Sequence, residues 1–345
     1  MGAATGPGDL VLVPGMVEEE AGFIPASSHP GPLLSLLRTA DLGRKNLELL
    51  LRASTRFRSY PLSQHTLLRG DTVTLYFNKP STRTRLSFET AVARLGATPI
   101  GVGPHELQLD RGETIEDTAR VISAYTRAFV IRTFADEDVA RFARAATIPV
   151  INALTDGHHP CQSVADALTL VDEWGRPAGR RVAFVGDGDN VVHSLVEACA
   201  LLGAHVAVAT PPGREPNPRV IEHASRLAAE NGGTVSVTND PYEAVRGADA
   251  VYTDVWQSMG VPEDQREARV RAFRPYQVNT KLMAAAADDA IFMHCLPAHR
   301  GEEVTAEVID GPRSRVFQQA ANRLPTEQAI LWALVTGVLQ TRGET

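Results

Sequence analysis

The densest chemistry in the sequence lies between Lys79 and Glu89, KPSTRTRLSFE, where Ser81, Thr82 and Thr84 alternate with Arg83 and Arg85. The preceding run VTLYF, Val73 to Phe77, reads as a short buried strand. After it, Leu86, Phe88, Val92 and Leu95 recur at near-helical spacing. Ser81 and Thr82 therefore stand at cap positions of a helix, where unpaired backbone N–H groups and the positive end of the helix dipole favour an anion. With Arg83 beside them, the stretch predicts a site for a dianion. The plain alternative is a capped helix with Arg85 and Glu89 paired at i,i+4. Two arginines interleaved with three hydroxyls favour phosphate.

Four later stretches add to this. HHPCQ, His158 to Gln162, follows an expected strand, at the edge where open α/β sheets place ligands. A histidine there can donate to a carbonyl oxygen and a glutamine can hold an amide, although a polar loop stiffened by Pro160 has the same composition. His158 and His159, with His294, Cys295 and His299, raise the question of zinc, but neither cluster has finger-like spacing and no metal is expected. VGDGDNVVHS, Val185 to Ser194, starts like a dinucleotide fold. It lacks the third glycine, because Val191 stands there, and the next strand ends at Thr210 and Pro211 with no acidic residue for a ribose. The stretch reads as Rossmann-like without dinucleotide, with no cofactor expected and Asn190 free to present its amide.

TDVWQSMG, Thr253 to Gly260, ends a strand at Asp254, which can pair with an ammonium group while Ser258 offers a hydrogen bond; an Asp-capped turn is the alternative. HCLPAHRG, His294 to Gly301, sets Cys295 at a strand end, where cysteines are more often buried and inert than reactive. Pro297 can hold the Leu296 carbonyl outward through a cis bond. Together these edges describe a cleft for a phosphorylated electrophile on one side and an ammonium-bearing nucleophile on the other.

The elements that must position these groups alternate strand and helix. Apolar positions from 34 to 52 suggest helices broken near Gly43. Strands over 73–77, 98–102, 128–132 and 148–151 alternate with helices over 83–95, 114–126 and 136–145, an order that implies a parallel sheet covered on both faces. A loop over 152–162 and a helix over 163–174 follow. Strands over 181–186, 205–210, 234–238, 249–253 and 291–296, with helices over 191–202 and 218–231, repeat the pattern. The fold class is therefore α/β, with two domains, each a mainly parallel sheet with helices on both faces. Residues 31–165 form the first and 166–321 the second. An apolar helix over 326–339 returns to the first domain, so residues 322–342 join it.

Composition agrees with this reading. Of 345 residues, 43% are apolar and 22% charged, enough for real cores. A net charge of −7 and a pI near 5.8 exclude broad nucleic-acid binding, so an anion must be caught by local groups. No apolar run reaches the ~20 residues that span a bilayer. In the Gly- and Pro-rich segment 1–30, read as a loose tail, Leu10 to Val13 is too short for a signal sequence and Glu18 to Glu20 oppose a transit peptide. Cys161, Cys199 and Cys295 form no CxxC and leave an odd count, which points to a reducing compartment, the cytoplasm.

KPSTRTRLSFE, HPCQ, GDGDN, DVWQSMG and HCLPAHRG occur in this order in the aspartate and ornithine carbamoyltransferase family, which the chain resembles from about Leu34 to its C-terminus. STRTR and HPxQ are shared across that family, whereas SMG and HCLP point to ornithine as second substrate. The resemblance implies transfer of the carbamoyl group of carbamoyl phosphate to the δ-amine of L-ornithine, giving L-citrulline and phosphate in arginine metabolism. It places Ser81, Thr82, Arg83 and Thr84 in the carbamoyl phosphate loop, Arg132 on phosphate and carbonyl, and His159 and Gln162 on the carbonyl oxygen and amide nitrogen. Gln108 would be lent to a neighbouring subunit's phosphate site, which implies a homotrimer or a multiple of trimers. Asn190, Asp254, Ser258 and Met259 would hold the α-amino and α-carboxylate groups of ornithine. Cys295 and Leu296 would line the reacting centre, and Arg323, in AANRL, would return to it. Arg132, His159 and Cys295 are the expected catalytic groups. The acidic residue usual just before that arginine is absent, Ala320 and Ala321 standing there. A diamine acceptor such as putrescine is disfavoured by Asp254 and the SMG loop, because a diamine has no carboxylate to bind.

Overall fold

The computed structural model describes residues 35–256 and 266–339. The expected tail over 1–30 and the candidates Ser258 and Met259 lie outside the described residues. The chain opens with a 3-10 turn, Thr39–Leu42, and then runs α1 (Gly43–Ser59), β1 (Thr72–Phe77), α2 (Arg83–Arg94), β2 (Thr98–Val102), α3 (Ile115–Tyr125), β3 (Ala128–Arg132), α4 (Asp136–Ala145), β4 (Val150–Leu154) and α5 (Pro160–Trp174). There follow β5 (Arg181–Val185), α6 (Asn190–Leu202), β6 (His205–Ala209), α7 (Pro218–Asn231), β7 (Thr234–Thr238), α8 (Pro241–Val245), β8 (Ala250–Thr253), α9 (Arg266–Phe273), α10 (Thr280–Met283), β9 (Ile291–His294), α11 (Ala306–Ile309) and α12 (Val316–Thr336).

The strands form two parallel sheets, ordered β2-β1-β3-β4 and β7-β6-β5-β8-β9. Central strands such as AFVIR of β3 are buried along their whole length, as strands covered on both faces must be. In each sheet the chain first moves outward one way and then the other, so the strand order reverses between β1 and β3 and between β5 and β8. Crevices at such reversals, beyond the carboxyl ends of the strands, are where open α/β sheets bind ligands. The two α/β sheets with flanking helices match the expected fold class.

Four elements depart by two residues or more from the boundaries read in the sequence. β4 runs over 150–154 rather than 148–151, paired with β3 through a register shift between Ile131 and Arg132 that carries it on to Leu154. α5 begins at Pro160 rather than Ser163, because proline needs no N–H partner in the first turn of a helix. β9 stops at His294 rather than 296, since Leu296 adopts a φ of 57° that leaves the strand. The last helix starts at Val316 rather than 326 and passes through Pro325. Its early turns are held from outside: Gln319 and Asn322 donate to Asp166 and Thr169 of α5. α12 packs against α1, α2 and α5, with Trp332 edge-on to Phe57 at 6.1 Å.

Candidate active site

A cleft of about 630 Å³ lies where the carboxyl ends of both sheets face each other. From the first sheet it takes Ser81 to Thr84 after β1, Arg132 at the end of β3, and His159 and Gln162 after β4. From the second come Asn190 at the start of α6, Asp254 after β8, and Cys295 and Leu296 after β9. Arg323 enters from α12. The structure thus brings together every described candidate but one. Gln108 sits exposed on a 3-10 turn (Gln108–Arg111) and is not among the residues lining the cleft.

At the start of α2, Thr82 occupies the cap position with helical φ, and its side chain makes no capping hydrogen bond. The first-turn amides are thus left without a side-chain cap, as an anion would need. Arg85 bonds Glu89 at 2.8 Å on the exposed flank, the scaffold role expected of that pair. Arg83 instead donates through Nη2 to the Leu296 carbonyl oxygen at 2.6 Å. That oxygen is turned to it by the Leu296 backbone, which precedes a cis Pro297.

Three guanidiniums, of Arg83, Arg132 and Arg323, share this wall. Burial, then the charges of Arg323 and Arg83, push Arg132 down to about 10, and its Nε has no hydrogen-bond partner among the described residues. It stays charged at neutral pH with donor capacity unused. Burial and the same arginines hold His159 well below the usual histidine range, so it is neutral. Its Nδ1 is buried and without a partner among the described residues, while its backbone N–H donates to Ser194 Oγ at 2.8 Å.

Arg323 is buried and orders its neighbours. Nη2 donates to Thr84 Oγ1 at 2.9 Å and Nη1 to Gln162 Oε1 at 2.7 Å. With its oxygen accepting from arginine, the Thr84 hydroxyl is left to act as a donor. Gln162 Nε2 donates to Asp166 at 2.8 Å, which fixes its amide and keeps one lone pair of Oε1 uncommitted.

On the opposite wall, Asp254 is buried, and desolvation pushes its pKa up. It accepts from the Cys295 thiol at 2.9 Å and from the Val255 amide at 2.7 Å. Burial, then Asp254, drives Cys295 well above the usual thiol range, so it is a thiol and not a thiolate. Asn190 is less free than expected, because its Nδ2 donates to the Thr155 carbonyl oxygen at 2.7 Å across the cleft.

Asp254, His294 and Cys295 bring ligand-type atoms within 4.8 Å of one another, and so do His299, Glu302 and Glu303. In the first group both ring nitrogens of His294 are engaged: Nδ1 accepts from the Leu296 amide at 2.8 Å and Nε2 faces Glu303 at 3.1 Å. In the second, Glu302 pairs with Arg266 at 3.2 Å.

Three site groups escape sequence reasoning. Lys79 lines the cleft, pairs with Asp156 at 2.5 Å and lies over the Phe134 ring. It opens the arginine-rich stretch but is separated from it by a proline. Asp166, fully buried, accepts from Gln162, Gln319 and Tyr252, and burial raises it to about 6. Glu327 lies beside Arg323. A lone acid inside an apolar helical run was the one available signal for the latter two.

Comparison with known proteins places this geometry. Residues 35–172 match the family model described as aspartate/ornithine carbamoyltransferase, carbamoyl-P binding domain, and residues 178–334 match its Asp/Orn binding domain. A curated relative from Anoxybacillus flavithermus, an ornithine carbamoyltransferase, is 49% identical over 301 residues, 87% of this chain and 96% of its own. One from Pyrococcus furiosus, described as anabolic, is 53% identical over 304 residues, 88% of this chain and 96% of its own. The solved ornithine carbamoyltransferase from Pyrococcus furiosus superposes with a TM-score of 0.85 at 48% identity, covering 89% of this chain and 98% of that one.

Proposed function

This chain belongs to the aspartate/ornithine carbamoyltransferase family, and from that premise we propose its reaction: transfer of the carbamoyl group of carbamoyl phosphate to the δ-amine of L-ornithine, giving L-citrulline and phosphate. The observation that carries this reading is a cleft with three guanidiniums on one wall and the buried carboxylate of Asp254 on the other. One wall suits a phosphorylated electrophile and the other an amino-acid ammonium group.

In this reading the phosphate lies on Arg83 and the uncapped amides of Ser81 to Thr84. The carbonyl oxygen faces the Thr84 hydroxyl, Arg132 and neutral His159, and the amide of the carbamoyl group donates to Gln162 Oε1. Attack by the neutral δ-amine puts charge on that oxygen, and each preorganised donor lowers the barrier by about 3 kcal/mol. Phosphate leaves onto Arg83 and is basic enough to take the amine's proton. Free ornithine is mostly protonated at neutral pH, so the site must select the neutral amine. Asn190, Asp254, Ser258 and Met259 hold the α-amino and α-carboxylate groups, while Cys295 and Leu296 line the reacting centre.

Residues 31–165 with 322–342 form the carbamoyl phosphate unit and 166–321 the ornithine unit. The exposed position of Gln108 supports its donation to a second subunit, hence a trimer or a multiple of trimers. No described helix is long and apolar enough to cross a membrane, and the proposed location is the cytoplasm.

An assay of released phosphate and of the ureido product tests the reaction with ornithine and putrescine in parallel. Turnover of ornithine is expected; turnover of putrescine alone overturns the assignment.

A further inference from the structure

Arg323 has a partner that the reaction does not require. Glu327, one turn further along α12, is fully buried, and its Oε1 accepts from Arg323 Nη2 at 2.7 Å and Nε at 3.1 Å. The contact leaves Arg323 with Nη1 and the second Nη2 proton aimed at Gln162 and Thr84. Glu327 thus fixes the rotation of the guanidinium that in turn sets Thr84 as a donor and Gln162 as an acceptor. It is also a carboxylate ion-paired directly with one of the three wall arginines.

The other oxygen, Oε2, is buried and has no hydrogen-bond partner among the described residues. Ser87 of α2 lies beside it, with its hydroxyl 2.7 Å from the Arg83 carbonyl oxygen. Turned to that carbonyl, Ser87 Oγ can accept from a protonated Oε2; turned to Oε2, it donates and favours the carboxylate. The buried oxygen is thus within reach of a partner in either protonation state. Burial raises Glu327 to about 7, with Arg323 and Ser87 opposing the rise.

Among the charged and titratable groups nearby, Cys161, facing from α5, is a buried thiol pushed far up. From α1, Arg58 turns away to Asp172 and Asn322. Arg83, Arg132, His159 and Asp166 all feel the charge of Arg323, and His159 and Asp166 are the two that could take a proton in place of Glu327.

We propose that Glu327 is a positioning residue that orients Arg323 as a carboxylate and takes up one proton from solvent when a dianion enters the cleft. The inference rests on the anion site of the proposed function. A dianion near the three arginines repels the carboxylate and favours its acid form, in which Oε2 donates to Ser87 Oγ. Protonation ends the neutralisation of Arg323 by Glu327, and the full charge of the guanidinium then faces the anion. Only Glu327 changes its proton count, and the proton comes from buffer.

Sulfate tests this, because its charge is constant across the pH range, unlike that of phosphate. Calorimetric titration of sulfate at pH 7 in buffers of different ionisation enthalpy reads the protons taken up. Wild type is expected to take up about half a proton per sulfate, and its Kd should rise up to about tenfold per pH unit above 7. Glu327→Gln keeps the hydrogen bond to Arg323 and should bind sulfate with no uptake and a flat pH profile. Uptake that persists in Glu327→Gln places the proton elsewhere, as on His159, and overturns the proposal; so does a wild type with no uptake. Should Glu327→Gln fail to fold, Asp166→Asn and His159→Gln decide together: uptake retained in both supports Glu327, and uptake lost in either overturns the proposal. Absence of any sulfate binding removes the anion site itself, a failure of the functional reading that carries this inference with it.

Discussion

Arg83 Nη2 reaches the Leu296 carbonyl oxygen at 2.6 Å, joining the first turn of α2 to the loop after β9. The guanidinium placed to receive a phosphate is thus engaged with a neutral acceptor from the other sheet. A phosphate dianion is a far stronger acceptor for arginine than a carbonyl oxygen. A phosphate at α2 should therefore compete with the Leu296 carbonyl oxygen for Arg83, and the loop after β9 that offers this oxygen also carries Cys295. This hydrogen bond joins those of Asn190 to Thr155 and of the His159 amide to Ser194 in linking the two half-sites.

Arg83→Ala should raise the KM for carbamoyl phosphate by roughly a hundredfold, the loss of one charge-assisted contact of about 3 kcal/mol. Stability should change by less than about 1 kcal/mol, because the lost partner is a single carbonyl at the cleft edge. Steady-state kinetics and urea denaturation measure the two effects. An unchanged affinity for carbamoyl phosphate would remove Arg83 from the phosphate cradle.

Local spacing made much of this visible in the sequence. The strand-to-helix step at KPSTRTR and the strand ends before Asp254 and Cys295 are written in consecutive residues, and the α/β alternation follows from them. What stayed hidden depends on residues far apart in the chain. Gln162 meets Arg323 across 161 positions, and Gln319 meets Asp166 across 153, so neither Arg323 nor Asp166 announces these partners. Proline misleads in two opposite ways. Pro160 starts a helix where a loop was expected, and Pro325 fails to end one because contacts from α5 and α2 hold the turns around it.

His193 should make the protein acid-sensitive. Its Nδ1 lies 2.8 Å from the Gly157 carbonyl oxygen, which can only accept, so Nδ1 carries the proton and Nε2 accepts from the Asn217 amide at 2.9 Å. The neutral ring thereby ties the loop that carries His159 to the loop before α7. Burial lowers its pKa below 6.5. The unfolded chain then binds more protons between that value and the folded one, so stability falls as pH drops from about 6.5, by up to ~1.4 kcal/mol per unit. Asp166 and Glu327, whose values are raised, act with the opposite sign, which makes the difference between variants the informative quantity. His193→Gln should cost about 1 kcal/mol at pH 7.5, and the difference should shrink toward zero by pH 5.5. Urea denaturation of both proteins at three pH values checks this, and a pH-independent difference would refute the neutral bridge.

Cys295 should be a slow nucleophile despite lining the cleft. Alkylation requires the thiolate, and here burial and the Asp254 carboxylate 2.9 Å away both hold the proton on sulfur. Treated with iodoacetamide at pH 8, the folded protein should be modified more slowly than a free thiol by at least about tenfold, with a rate still climbing at pH 9. Cys161 and Cys199, both buried and raised by desolvation, should stay unlabelled until the chain unfolds, so peptide mapping reports Cys295 alone. Asp254→Asn removes the charge while keeping an acceptor in place, and should speed the reaction about tenfold. Carbamoyl phosphate should also change the labelling rate, because its phosphate draws Arg83 away from the Leu296 carbonyl oxygen adjacent to this thiol. A labelling rate indifferent both to Asp254→Asn and to carbamoyl phosphate would break the link between the two walls of the cleft.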